Sequence, residues 1–385
     1  MTGKVNISEL DCVDGHKIGI AELDNPASLN ALTLDMLKQL KSSLEDWEKD
    51  DSIACVFLHG VGEKAFCAGG DVRTMYHMMQ ASSEKRKNGQ DDDSAQNFLT
   101  EYFTVEYSCD YLIHTYSKPL IVWGEGIIMG GGIGLYIGAS HRVTTPKSRM
   151  AMPEISIGLY PDVGGTWFLN KLPSGIGLFL GLTGAQINAS DALDLRLTEH
   201  LLLPEHKQGV IEKLQGQLWN KADHFELVSE LLSGFEDAAL SQHPSSQLIP
   251  YFAQIQAACV AEDLSLVCTQ IAAIDGIGRW LEQAKKNLEE GSPITACICF
   301  RQCTQYHLLS LEDCFRLELV LSVRSGLLGE FEEGVRARLI DKCGQPSWMY
   351  KRVEDVEQSV IDRLFTSLWE DEKTHPLAKL GLPRK

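Results

Sequence analysis

Apolar residues recur along this chain in two rhythms, one of strands and one of helices. Ile18 to Leu23 reads as a short strand closed by the turn Asp24-Asn25-Pro26. From Asn30 to Lys49, Leu34, Leu37, Leu40, Leu44 and Trp47 fall at spacings of three and four, which predicts a helix with one apolar face. Ala54 to Leu58 is an unbroken apolar run, the pattern of a strand buried on both sides, and Pro119 to Val122 repeats it. Phe98 to Tyr116, Leu172 to Leu182 and Ser190 to Asp194 have helical character, and Glu84 to Gln96 reads as a mobile, charge-rich surface loop. Beyond Pro204 the pattern is helical to Gly291, broken by polar stretches near Gln242 to Ser246 and Glu289 to Gly291. It resumes after Ser292-Pro293 as far as Gly326, and past Trp348 the chain closes in a polar tail. Alternating strands and helices predict an α/β architecture, with residues 1–203 as its core and 204–385 as a helix-rich C-terminal region.

Composition narrows the picture only in places. With 385 residues, 44% of them hydrophobic and 23% charged, and without an apolar run long enough to span a bilayer, the chain reads as a soluble globular protein. A formal net charge of -18 opposes nucleic acid and anionic membranes as partners, so a phosphate-bearing ligand would have to be held locally. The eleven cysteines include no C-x-x-C pair, which predicts free thiols in a reducing compartment. Their one cluster, Cys297, Cys299 and Cys303, lacks a histidine at ligand spacing, so no metal site is expected. The first residues carry neither a signal-peptide core nor an Arg-rich presequence, and the expected location is the cytoplasm.

Candidate chemistry concentrates in two glycine turns and the segment after the second. Lys64 to Arg73 carries Ala68-Gly69-Gly70-Asp71-Val72, and Gly126 to Gly134 carries Gly130, Gly131 and Gly132, each between a strand and a helix start. Such a turn lets backbone approach a ligand closely and aims helix N-terminal amides at it, although it serves equally for close helix-to-strand packing. One amide from each turn, Gly70 and Gly131, could converge on a carbonyl oxygen as an oxyanion hole, chemistry that needs no cofactor. Glu154 and Asp162 then lie eight residues apart in a largely apolar segment. Carboxylates in such surroundings are seldom without a task; Asp162 has the structural alternative of capping a helix near Gly164, whereas Glu154 has no local excuse. Nucleophile-elbow, P-loop, H-E-x-x-H and dinucleotide fingerprints are absent.

The segments A-F-C-A-G-G-D at 65–71, M-G-G-G-I-G at 129–134 and M-P-E-x-x-I-G-L-x-P-D-V-G-G at 152–165 resemble the crotonase (enoyl-CoA hydratase/isomerase) superfamily, and more narrowly its 3-hydroxyisobutyryl-CoA hydrolase branch. Glu106-Tyr107, Ser292-Pro293 and Glu333 to Ala337 fit the same branch. The resemblance implies a spiral of ββα units and a CoA thioester whose carbonyl is gripped by the Gly70 and Gly131 amides. Ala68, Asp71 and Val72 would lie along the CoA, Glu106 would contact the acyl group, and Glu154 with Asp162 would be the catalytic pair. CoA enters as substrate, with no separate cofactor. Hydratases of the superfamily carry a catalytic glutamate where this chain has Gly134, which favours hydrolysis over the two rivals, enoyl-CoA hydration or isomerisation and non-catalytic CoA binding. A homo-oligomer is left open, because the superfamily commonly forms trimers while the C-terminal extension of this branch would cover the associating surface. Glu330 stands where the branch often has aspartate, and Thr295-Ala296-Cys297 lacks a lysine that often follows Ser-Pro.

Overall fold

The computed structural model describes residues 3–221 and 223–382. Its contacts divide the chain into two compact units that interleave along the sequence, the first made of residues 1–70, 109–150 and 187–250 and the second of 71–108, 151–186 and 251–385.

The first unit is built on sheet. β1 (Lys4–Asp11), β2 (Lys17–Asp24), β3 (Ile53–Gly60), β5 (Leu120–Gly124), β7 (His141–Thr144) and β10 (His200–Leu201) form one six-stranded sheet in that order. β1 is antiparallel to β2 and every other pairing is parallel, with Ala21 opposite Leu58 and Leu58 opposite Val122. The apolar runs behave as their pattern requires, since β3 and β5 are buried at every position. Phe57 stacks on Trp123 at 6.1 Å, and Trp219, Val228 and Leu232 join the same core from the following helical segments. α1 (Leu34–Lys49) buries Leu37, Leu40, Leu44 and Trp47, and its first turn is capped by the Thr33 side chain, which accepts from the Met36 N–H. A second sheet holds β4 (Ala65–Cys67), β6 (Ile127–Met129), β8 (Arg149–Ala151) and β9 (Ile187–Asn188).

The second unit is helical. α2 (Val72–Lys87) and α3 (Ser94–His114) are separated by residues 88–93 alone, so the loop expected over 84–96 is much shorter. Asp92 fixes that connection: its side chain accepts from Lys85 and Ser94, and its carbonyl from Arg86. The polar tail is also partly folded in, with Leu377 buried and the carbonyls of Leu377 and Leu380 accepting from Arg316, although residues 383–385 lie outside the described residues.

One junction in this unit positions the Glu154 segment. A Cβ on Gly158, whose φ is +71°, would meet the Glu330 carbonyl oxygen at 2.3 Å, and a Cβ on Gly334 would meet the Ile157 carbonyl at 2.2 Å. Glu330 closes the junction from a third side, accepting from Ser292 Oγ at 2.5 Å and from the Met349 N–H at 2.6 Å. The Ser-Pro and E-G-V-R-A signatures are thus packing devices around residues 154–158. Replacing Gly334 with Ala drives a methyl into backbone that cannot move aside cheaply; we expect a loss of about 1–3 kcal/mol in a denaturant unfolding titration. An unchanged midpoint would mean that this contact is slack.

Candidate active site

The two glycine turns meet inside the first unit. A Cβ on Gly132 would lie 2.3 Å from the Cys67 carbonyl oxygen, so α4 (Gly131–Ile137) starts against the end of β4 with no room for a side chain. Gly130, at φ +49° and ψ -126°, takes a conformation that glycine alone adopts readily and turns the chain into that helix. Gly131 is the first residue of α4, and its N–H therefore has no acceptor within its own helix. On the other turn Gly69 has a φ of +119°, and a Cβ there would reach the Met129 carbonyl at 3.5 Å and the Gly131 nitrogen at 3.8 Å. Gly70 bridges to Leu32, and the Ala68 N–H is spent on the Leu29 carbonyl at 3.0 Å. Asp71 caps α2 through its side chain, accepting from the Thr74 N–H and hydroxyl, and Val72 is the first residue of that helix.

The carboxylates belong to the second unit. Glu106 sits on α3, Glu154 opens the one-turn helix Glu154–Ile157, and Asp162 stands before α5 (Gly165–Phe168). Their exposures are 2%, 4% and 3%, close to complete removal from water. Burial raises the pKa of all three; the charge of Asp162 then adds to the rise at Glu106 and Glu154, which also feels Glu106. Asp162 reaches about 7, burial being opposed by the hydrogen bond from Tyr107. Oε2 of Glu154 is buried and accepts no hydrogen bond among the described residues, an unusual state for a carboxylate oxygen.

Asp162 is held more firmly than Glu154. Tyr107 donates to its Oδ2 at 2.7 Å, and Ser322 lies 2.6 Å from the same hydroxyl and 2.7 Å from that of Tyr160. Tyr160 donates to the Glu318 carbonyl at 2.6 Å. The Glu318 side chain accepts from the N–H of Gly164 at 2.7 Å and of Thr166 at 2.8 Å, and burial pushes its carboxyl up to about 8 against those bonds. A helix does start at Gly165, but Asp162 does not cap it with its side chain; Glu318 serves that end instead. Tyr107 and Tyr160 stood inside recognised motifs without a role. Glu318 and Ser322 were missed outright, although a lone glutamate in Leu317-Glu318-Leu319-Val320-Leu321 was a usable signal.

A family profile for enoyl-CoA hydratase/isomerase matches residues 18–365, and the chain belongs to that family. Among individual proteins, it is 35% identical over 359 residues to the mitochondrial 3-hydroxyisobutyryl-CoA hydrolase of Danio rerio, covering 91% of this chain and 88% of that one. It is 32% identical over 351 residues to the enzyme of the same name from Homo sapiens, covering 91% and 86%. In three dimensions it resembles the crystal structure of an enoyl-CoA hydratase from Rhodobacter sphaeroides, with a TM-score of 0.77, 27% identity and coverage of 94% and 97%. The expected crotonase-type α/β fold with a helical C-terminal region therefore stands. The cytoplasmic expectation does not, because the relatives are named mitochondrial. An acidic surface and free thiols suit either compartment, so composition could not distinguish them. No helix among the described residues is long and apolar enough to cross a membrane.

The raised carboxyls make a prediction about stability. A carboxyl whose folded pKa lies above its unfolded value binds more protons folded than unfolded between the two, so its contribution to stability falls as pH rises through that window. For Asp162 the window runs from the ordinary aspartate range to about 7. Asp162→Asn retains an acceptor for Tyr107 and removes the charge. We expect its unfolding midpoint to exceed the parent's at pH 8, the gain shrinking toward pH 5; an equal offset at both pH values would contradict the burial argument.

Proposed function

We propose that this chain hydrolyses a short-chain 3-hydroxyacyl-CoA thioester, 3-hydroxyisobutyryl-CoA above all, to the free hydroxy acid and CoA. The observation that carries this reading is the buried, electrostatically linked pair Glu154 and Asp162 in a chain that has glycine at 134, where hydratases of the superfamily keep a glutamate. The names of its relatives support it. Release of 3-hydroxyisobutyrate would place the chain in valine degradation.

In this mechanism the N–H groups of Gly70 and Gly131 stabilise negative charge on the thioester oxygen, each donor contributing about 3–4 kcal/mol to lowering the barrier. Ala68, Asp71 and Val72 contact the CoA portion mainly through backbone, and Glu106 contacts the acyl group. Glu154 supplies the base or nucleophile. As nucleophile, its carboxylate adds to the carbonyl carbon, the C–S bond breaks, and CoA leaves as a thiolate that takes up a proton. Water then cleaves the mixed anhydride and regenerates the carboxylate. As base, Glu154 takes the proton of a water that attacks directly. Both routes leave one acid and one thiol, both end with a free carboxylate, and neither needs a metal or a second cofactor. Asp162 orients the substrate hydroxyl or the water and shares in proton transfer.

Free thiol released from 3-hydroxyisobutyryl-CoA tests the reading, alongside the 3-hydroxypropionyl, β-methylcrotonyl and crotonyl thioesters. We expect release from the hydroxyacyl substrates and a loss of at least about 100-fold in Glu154→Gln, whose amide can neither attack nor accept a proton. Because Glu154 must be ionised and its pKa is raised, kcat/KM should climb with pH through a midpoint above the ordinary carboxylate range. Loss of the crotonyl enone band without thiol release would establish hydration instead.

A further inference from the structure

Asp162 is followed by a backbone conformation that its own sequence disfavours. Val163 has a φ of +50°, in the left-handed region where a β-branched side chain is a clear outlier, and Gly164 follows at +86°. The pair forms a tight turn in which the Gly165 N–H donates to the Asp162 carbonyl at 2.7 Å. Val163 is fully buried, so the strain is not relieved into solvent. Some other part of the molecule must hold the turn in place.

We propose that Glu318 is the positioning residue of this site, clamping the Val163-Gly164 turn through two backbone N–H groups and thereby fixing the direction of the Asp162 carboxyl. Its two oxygens take one donor each, Gly164 at 2.7 Å and Thr166 at 2.8 Å, on the far side of the strained residue. The same stretch of helix Leu311–Leu328 reaches Asp162 by a second route, because Ser322 and the Glu318 carbonyl hold Tyr160, and Ser322 also meets the Tyr107 hydroxyl that donates to Asp162. Gln302 supports the turn from another helix, donating to the Thr166 hydroxyl at 2.7 Å and the Pro161 carbonyl at 3.1 Å. Glu318 has no exposure and stands in an otherwise apolar run, so solubility does not account for it.

This inference rests on the role given to Asp162 above, and its test separates the two. At pH 9, where Glu318 is ionised and both its oxygens accept, Glu318→Gln keeps size and shape but offers one acceptor where two are needed, and sets its amide N–H against a backbone donor. Hydrogen exchange at the Gly164 and Thr166 amides should accelerate about tenfold or more, the effect of one lost hydrogen bond of this kind, while exchange in α6 (Ile176–Thr183) stays as in the parent. With 3-hydroxyisobutyryl-CoA, kcat should fall about 100-fold, the scale of a misplacement near 1 Å, with KM within about twofold. Unchanged exchange at the two amides, an unchanged kcat, or a loss expressed wholly in KM would overturn the proposal. If Glu318→Gln does not fold, Gln302→Leu loosens the same turn and is read by the same two measurements. A parent that releases no thiol would remove the hydrolase reading, while amide exchange would still decide whether Glu318 holds the turn.

Discussion

Three carboxyl groups buried within one helical unit, with the charges of Glu106 and Glu154 set against each other and against Asp162, are the constraint around which the second unit is organised. Removing an ionised carboxylate from water is costly, and the usual remedies are a cation or several hydrogen-bond donors. Asp162 has the Tyr107 hydroxyl; Glu154 has an oxygen with no partner among the described residues. The cluster therefore holds its protons at pH values where exposed carboxyls have lost theirs. A fold that keeps such a group dry gives up stability for reactivity, which is the exchange expected at a catalytic site rather than at a structural one.

Keeping these groups buried and oriented falls to parts of the chain far away in sequence. The Glu154 turn is pinned where Gly158 and Gly334 allow backbone to touch backbone, and Glu330 ties Ser292 and Met349 to the same junction. The Asp162 turn is held by the helix Leu311–Leu328, which presents polar groups at 318 and 322, one turn apart on the same face, and by Gln302 from another helix. The C-terminal residues thus complete the surroundings of both carboxylates.

Much of this was legible in the sequence, and what was missed has physical reasons. Apolar runs showed β3 and β5 because strands buried on both faces carry no competing pattern. Glu154 and Asp162 stood out because charge is rare in an apolar segment. Glu318 satisfies the same criterion within Leu317–Leu321, but lies in a stretch with only a general helical pattern and no motif around it. The charge-rich run 84–96 has the pattern of a surface loop, yet only residues 88–93 lie between the helices. Lys85, Arg86 and Lys87 instead occupy the last turn of α2, where cations complement the helix dipole. Glu330 counted as a departure from the family pattern, and only three-dimensional contacts show that its longer side chain still spans from Ser292 to Met349.

Family membership fixes the scaffold without fixing the reaction. In the proposed mechanism the chemistry begins with polarisation of a thioester carbonyl by the amides of the two glycine turns; the structure there has a helix start too crowded at Gly132 for any side chain. What happens next depends on which side chains meet the activated thioester. Hydration requires acid and base acting across a carbon–carbon double bond; this chain has glycine at 134, and in the proposed reading it lacks one of the two glutamates used for it. Hydrolysis requires a single nucleophile or base at the carbonyl and a way to return the proton to sulfur. A glutamate with one unpartnered oxygen, paired with an aspartate held by tyrosine, meets that smaller requirement. Under the proposed mechanism, this chain combines the family's scaffold with glycine at 134 and an aspartate eight residues beyond Glu154.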